Sequence, residues 1–296
     1  MTITYRKLSE LSIEDIVRIW NLGFEGYFIR MEMTIDVLMT RTVNEGISLE
    51  NSLVIMVDGE PAGFVMNGFR DIAGKKLAWN GGTGIAPAFR GKGIGKALMA
   101  RNLELYREQG VGIATLEALV QNEPAIRLYQ QAGYEISDHL LLLQHSGSMT
   151  DTILAQTHAH PFTISRELAR DAAGLDFSRG ISAWQTQWPS IKDGESLIIK
   201  QGSQPVGYAL FKRSFDKEGN MSAITLYQCE AHPEREDAEQ IYKAALSELF
   251  APLDYVGKRT TLNLRKSNLL LIEMMEKLGF TTNFEQVLMI RNMQDA

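Results

Sequence analysis

The chain of 296 residues carries one long pattern twice. Residues 122–134 read NEPAIRLYQQAGY and residues 268–280 read NLLLIEMMEKLGF, so Asn, Ile, Gly and a closing aromatic recur at an offset of 146. The same offset carries Thr115-Leu116 onto Thr261-Leu262 and Pro87 onto Pro233. An offset of 144 carries LVI at 53–55 onto LII at 197–199, and Gly63-Phe64 onto Gly207-Tyr208. A repeat of this length is far too long for a solenoid unit and has the size of a domain. The chain therefore reads as two domains, 1–145 and 152–296, joined by a polar Gly/Ser linker at 146–151.

Each half predicts the same alternation of elements. In the first, TYRKL reads as a strand. Ile13, Ile16, Val17 and Trp20 follow at helical spacing behind Ser12 as N-cap. A second helix is expected around 34–46, then a hairpin turning at Asp58-Gly59 and a further strand, KKLAWNGGTGIA. A helix over 93–109, the strand GIATLEALV, the helix EPAIRLYQQAG and a last strand, YEISDHLLLLQ, complete the half. Helices interleaved with strands of a mixed sheet predict an α/β or α+β layer fold.

The formal net charge of −6 argues against a nucleic-acid or anionic-membrane binder. Cys229 is the only cysteine, so no intrachain disulfide forms, as fits a reducing cytoplasm. The opening MTITYRKLSELSIEDIV shows no apolar signal core. The longest leucine run, Leu140 to Leu143, is too short to span a bilayer. HAH at 158–160 lacks Cys or carboxylate partners at ligand spacing, so no metal is expected.

The densest chemistry lies at Arg90–Gly95, RGKGIG, where a strand ending Gly84-Ile85-Ala86-Pro87 meets a helix. Glycines let backbone N–H groups approach an anion. A helix N-terminus adds positive potential, and Arg90, Lys92 and Lys96 add full charges. This suits a pyrophosphate, and a basic turn explains the same residues. The loop is neither a P-loop nor a clean G-x-G-x-x-G. On residues alone Tyr129 is equally a core tyrosine sharing a helix face with Ile126, and Glu117 equally a structural strand carboxylate.

The strand end Ile85-Ala86-Pro87, the [RQ]-x-x-G-x-G loop, the strand TLEALVQN, and Asn122 followed by Tyr129 and Gly133-Tyr134 together resemble the GNAT superfamily of N-acetyltransferases over residues 3–145. With its weaker second half the whole chain resembles tandem GNAT proteins. The resemblance implies two GNAT-like domains, each with a mixed, mostly antiparallel central sheet flanked by helices. It implies acetyl-coenzyme A as co-substrate, its pyrophosphate held by amides at Arg90, Gly91, Lys92, Gly93, Ile94, Gly95 and Lys96. Gly84, Ile85 and Ala86 would pair with the pantetheine arm as a false strand. Asn122 and Ala125 would line its path. Tyr129 would be the general acid and Glu117 a general base. An acceptor amine, small molecule or peptide, would lie by Phe24, Tyr27, Phe28, Trp79 and Asn80, where ordinary core packing is the competing explanation. Glu25 and Glu32 would draw a cationic amine.

The second half departs from the pattern. Its counterparts of Arg90–Gly95 are Glu236, Asp237, Ala238, Glu239, Gln240 and Ile241, and Met275 replaces Tyr129. Acids there repel a pyrophosphate, so the second domain is expected to be degenerate and non-catalytic. Trp184 and Trp188 fall where the first half has its acceptor loop, lining a cleft or packing in a core. The expected activity is N-acetyl transfer in a ternary complex. The alternatives are an acyl-coenzyme A sensor without turnover and an O-acyl or longer-acyl transferase. Monomer and homodimer both fit.

Overall fold

The structure is a computed structural model describing residues 1–72, 74–155 and 160–295. His158 and Ala159 of the HAH stretch lie outside the described residues. The chain runs β1 (Ile3–Lys7), α1 (Ile13–Gly23), α2 (Ile35–Glu45), β2 (Leu53–Val57), β3 (Glu60–Ile72), β4 (Lys75–Ile85), α3 (Ile94–Glu108), β5 (Ile113–Leu119), α4 (Glu123–Gln131) and β6 (Glu135–Ser146). It continues through β7 (Thr163–Leu168), β8 (Glu195–Gln201), β9 (Gln204–Phe215), β10 (Met221–Ala231), α5 (Ala238–Phe250), β11 (Lys258–Thr261), β12 (Leu264–Arg265), α6 (Leu269–Lys277) and β13 (Thr281–Asn292). None of the described helices is long and apolar enough to cross a membrane.

The chain forms two compact units: residues 1–137 with 287–296, and residues 138–286. They interleave in sequence, whereas the repeat alone sets two blocks end to end. In unit 1 the strand order is β1-β2-β3-β4-β5, followed by the part of β13 from Val287 onward. Unit 2 orders β7-β8-β9-β10-β11 and then the part of β6 from Asp138 onward, with β12 also on β6. Each unit's last strand in space is therefore not the one at the end of its own half of the sequence.

Local chemistry accounts for the elements of unit 1. Ser12 Oγ accepts from the Asp15 amide at 3.1 Å and opens α1. Ile16, Ile19 and Trp20 form its buried stripe; Ile13, at the helix mouth, points outward at 38% exposure. Asp58 and Gly59, both at positive φ, make the β2–β3 turn. Between α3, α4 and the sheet lies a core containing Ala78, Met99, Tyr106, Leu116, Val287 and Met289.

Unit 2 repeats the sheet and its two later helices but not the two early ones. Short 3₁₀ turns at Ala169–Gly174, Trp184–Thr186 and Trp188–Ser190 stand in their place. Trp184 is fully buried there and Trp188 is exposed.

Candidate active site

The site of unit 1 begins where two strands part. β4 and β5 pair in parallel only from Leu77 to Asn80 against Ile113 to Leu116. A bulge at Gly81 breaks the register, after which β4 stays with β3. The Ala86 N–H donates to Ala62 O at 2.9 Å. Antiparallel alternation then turns the N–H groups of Ile85 and Thr83 toward the gap. Asn80 fixes the bulge: its Oδ1 accepts from the Gly82 amide at 3.1 Å and from Thr83 Oγ1 at 3.0 Å.

At the end of this strand, amides converge. Gly91 and Gly93 have φ of 71° and 79°, and a Cβ on either would meet nothing within 4 Å. Gly93 is the N-cap of α3 and supplies no side-chain cap. Among the described residues, no N–H from Gly91 to Lys96 donates to a protein acceptor. Six such groups at a helix N-terminus form an anion cradle. Gly95 serves differently, since its ideal Cβ would stand 3.3 Å from Leu128 Cδ2 where α3 meets α4. Ile94 faces the opposite way into the core. Lys92 and Lys96 are exposed beside the cradle.

Arg90 takes a different part from a phosphate ligand. Its Nε donates to Ile85 O at 2.9 Å and its Nη2 to Gly23 O at 3.1 Å and Glu25 O at 2.7 Å. Its amide donates to Pro87 O at 3.3 Å. The side chain ties the end of α1 to the end of β4, where Gly84 packs against Gly23.

Tyr129, on α4, is 7% exposed. Burial pushes its phenol up to about 12, against hydrogen bonds from Thr83 and Asn80 that lower it. The phenol is thus a proton carrier across the whole neutral range. Tyr27 lies close enough to raise it further, and Tyr27 is itself raised by burial while bonding Asn122. Asn122 caps α4, accepting from the Ala125 amide at 3.3 Å. The structure therefore joins Asn80, Asn122, Tyr129, Ala125 and Tyr27 around the gap. It adds Thr83, which the sequence concealed inside a run of glycines.

Ala114, Leu116 and Ala118 of β5 face α3 and α4, so strand alternation sends Glu117 to the other face. There Trp79 Nε1 donates to Glu117 Oε2 at 2.6 Å. Trp79 and Asn80 are 3% and 5% exposed and brace the strands, which is the packing explanation of those two residues. An aromatic ladder rises from the same region: Phe64–Trp20 at 5.2 Å, Trp20–Phe24 at 4.6 Å, Phe24–Tyr27 at 5.1 Å and Tyr27–Phe28 at 5.5 Å. Phe24 roots the ladder, Tyr27 is half-buried and Phe28 is exposed beside an open concavity of the α1–α2 loop.

In the counterpart in unit 2 the groups equivalent to the parted strand end are engaged by the unit's own side chains. β10 and β11 also part, after Leu226 and Thr261. The Ala231 N–H, equivalent to that of Ile85, donates to Tyr242 Oη at 3.3 Å. Asn268 Nδ2 donates to the same hydroxyl at 3.0 Å. Asp237 stands at the N-cap position of α5, its carboxylate held by Arg235 at 2.6 Å and 2.7 Å rather than by the helix amides, so a negative charge sits where unit 1 has its anion cradle. Met275 is buried where Tyr129 stands in unit 1. Among the described residues no three His, Cys, Asp or Glu side chains gather as metal ligands.

Parted parallel strands, an amide cradle opening the following helix and a tyrosine across the gap define a GNAT fold. Residues 16–134 match the model of the acetyltransferase (GNAT) family. It is 28% identical over 144 residues to an uncharacterised N-acetyltransferase of Methanocaldococcus jannaschii, covering 45% of this chain and 61% of the relative. It is 36% identical over 87 residues to the streptothricin acetyltransferase of Streptomyces lavendulae, covering 28% of this chain and 42% of that one. The chain thus spans less than two thirds of either relative. A solved tandem GNAT protein from the clavulanic acid biosynthesis pathway shares the fold over 99% of both chains, with a TM-score of 0.59 and 12% identity.

Proposed function

We propose that unit 1 transfers an acetyl group from acetyl-coenzyme A to a primary amine. The observation that carries this is the run of undonated amides from Gly91 to Lys96, together with a Tyr129 phenol bonded by Thr83 and Asn80 where the strands part. The family match and the relatives named as N-acetyltransferases support it.

The cradle and the α3 N-terminus would hold the pyrophosphate, with Lys92 and Lys96 adding charge. The N–H groups of Thr83 and Ile85 would hydrogen-bond the pantetheine arm. The acceptor's nitrogen lone pair attacks the thioester carbon; a C–N bond forms and the C–S bond breaks. Tyr129 gives its proton to the departing sulfur. A thiol titrates near 8.5 and burial holds Tyr129 up to about 12, so transfer to a free thiolate is uphill, and Tyr129 must regain a proton from solvent before the next turnover. Burial widens the ordinary gap between phenol and thiol, so the proton would pass to sulfur as the C–S bond breaks rather than to a free thiolate. Glu117, oriented by the Trp79 indole, would take the amine's surplus proton directly or through water. Tyr27 and Phe28 would contact the acceptor.

Calorimetric titration with acetyl-coenzyme A tests the reading. One site per chain is expected, weakened at least about tenfold by Gly93→Glu. In an amine panel, Tyr129→Phe is expected to lower kcat by about 10²–10⁴-fold with little change in binding. Absence of binding would remove the proposal. Binding without turnover on any amine would leave a sensor, and two sites would return unit 2 to the list of acyl carriers.

A further inference from the structure

The cleft of unit 2 is closed to a pantetheine arm but is not featureless. A cavity of about 320 Å³ opens there, lined among others by Phe177, Arg179, Glu230, His232, Arg235 and Arg265. Its volume is at the small end of the range for ligand pockets.

Three arginines reach this cavity, and their partners differ. Arg235 holds Asp237 at 2.6 Å and 2.7 Å. Arg265 Nε holds Asp138 at 2.7 Å, and Ser267 Oγ adds a bond to the same carboxylate at 2.6 Å. In both pairs a carboxylate is held at short range. Arg179 meets Glu230 only at 3.5 Å, by Nε and by Nη2. Arg179 is half exposed, whereas the Glu230 side chain is 10% exposed. Glu230 is thus largely removed from water while its nearest cation, Arg179, stands at the long end of hydrogen-bond range and Arg265 acts on it only through its charge.

Nothing in the fold requires a carboxylate at this point. Glu230 occupies the β10 position that Gly84 occupies in unit 1. Unit 1 builds the same strand and the same parting with no side chain there at all. The buried carboxylate therefore belongs to the cavity rather than to the sheet.

We propose that this cavity binds a small zwitterion of the α-amino-acid type, its ammonium on Glu230 and its carboxylate on Arg179. A loose, side-by-side pair of opposite charges has an acceptor and a forked donor next to one another, the spacing that neighbouring ammonium and carboxylate groups require. Arg235 and Arg265 are each countered by an aspartate outside the lining, which leaves Arg179 and Glu230 as the loosest pair on the wall. Phe177, edge-on to His232 at 4.9 Å, provides an apolar and aromatic side for the ligand's remaining atoms. This site is independent of the acyl-transfer reading of unit 1.

The test titrates the full chain with each of the twenty L-amino acids, and with methylamine and acetate as one-ended probes. At least one amino acid should bind one per chain and outcompete both one-ended probes by about tenfold or more. Glu230→Gln and Arg179→Met should each weaken it by about tenfold or more, leaving the acetyl-coenzyme A titration unchanged. Thermal melts of both variants establish that they fold, and Arg179→Lys, keeping charge without the fork, should fall between. The proposal is overturned if no amino acid binds at about 10 mM, if methylamine or acetate binds as well, or if the two variants bind like the parent. It is also overturned if acetyl-coenzyme A displaces the amino acid, since the ligand would then lie in unit 1.

Discussion

A single side chain can be held by its neighbours against what burial would do to it. Asp138 is 7% exposed, and burial alone would raise its carboxyl. Ser267, Arg265 and the His139 amide more than offset this, and its value lies below the ordinary carboxylate range. Its contribution to unit 2 is therefore present above the unfolded value, near 3.9, and lost as pH falls through the lower folded one. Asp138→Asn is expected to cost about 1–3 kcal/mol near neutrality, read by urea unfolding followed at several pH values. The gap between parent and variant should narrow below about pH 4. A constant gap would mean that the charge is irrelevant. Tyr129 shows the opposite balance: burial prevails over its two hydrogen bonds and keeps the phenol protonated.

Both units start their second long helix of the repeat with the same device. Asn122 Oδ1 accepts from Ala125 at 3.3 Å, and Asn268 Oδ1 from Leu271 at 3.4 Å. Asn122→Ala and Asn268→Ala should each cost about 0.5–2 kcal/mol of stability. Only Asn122→Ala should also lower kcat/KM, because only that cap touches a tyrosine of the proposed site; equal activity of the two variants would sever the cap from catalysis. The Ser12 cap, the Asp58-Gly59 turn and the glycine loop were legible because their chemistry is local; the capping role of Asn122 and Asn268 was not. Thr83 was not, because a threonine in a strand looks the same whether its hydroxyl meets a tyrosine or water. The destination of Arg90 was hidden too: its acceptors include Gly23 O and Glu25 O, more than sixty residues away in the chain. Trp79 and Asn80 carried no mark separating a binding surface from a brace.

At the scale of the molecule the duplication is plain in the sequence, and the partition of its strands is not. β6 and β13 share an apolar run, Leu141–Leu143 and Val287–Met289, and nothing in that run marks which sheet receives it. Unit 1 takes Val287, Met289 and Met293 into its core, each buried. Removing residues 287–296 should thus unfold unit 1 and abolish acetyl-coenzyme A binding, while unit 2, spanning 138–286, keeps a cooperative melt. Calorimetric scanning of the shortened chain checks this; a surviving transition for unit 1 would show that the added strand is dispensable.

The same partition sets an order of birth. A ribosome releases the chain from residue 1 onward at about 5–20 residues per second. All of unit 2, ending at Gln286, has been made before unit 1 receives its final strand. The first-made sheet must wait, one edge open, for roughly the seven to thirty seconds that the intervening residues take. A nascent chain that stalls late in synthesis therefore loses the site encoded at its beginning, and the half that is finished second in sequence is finished first in space.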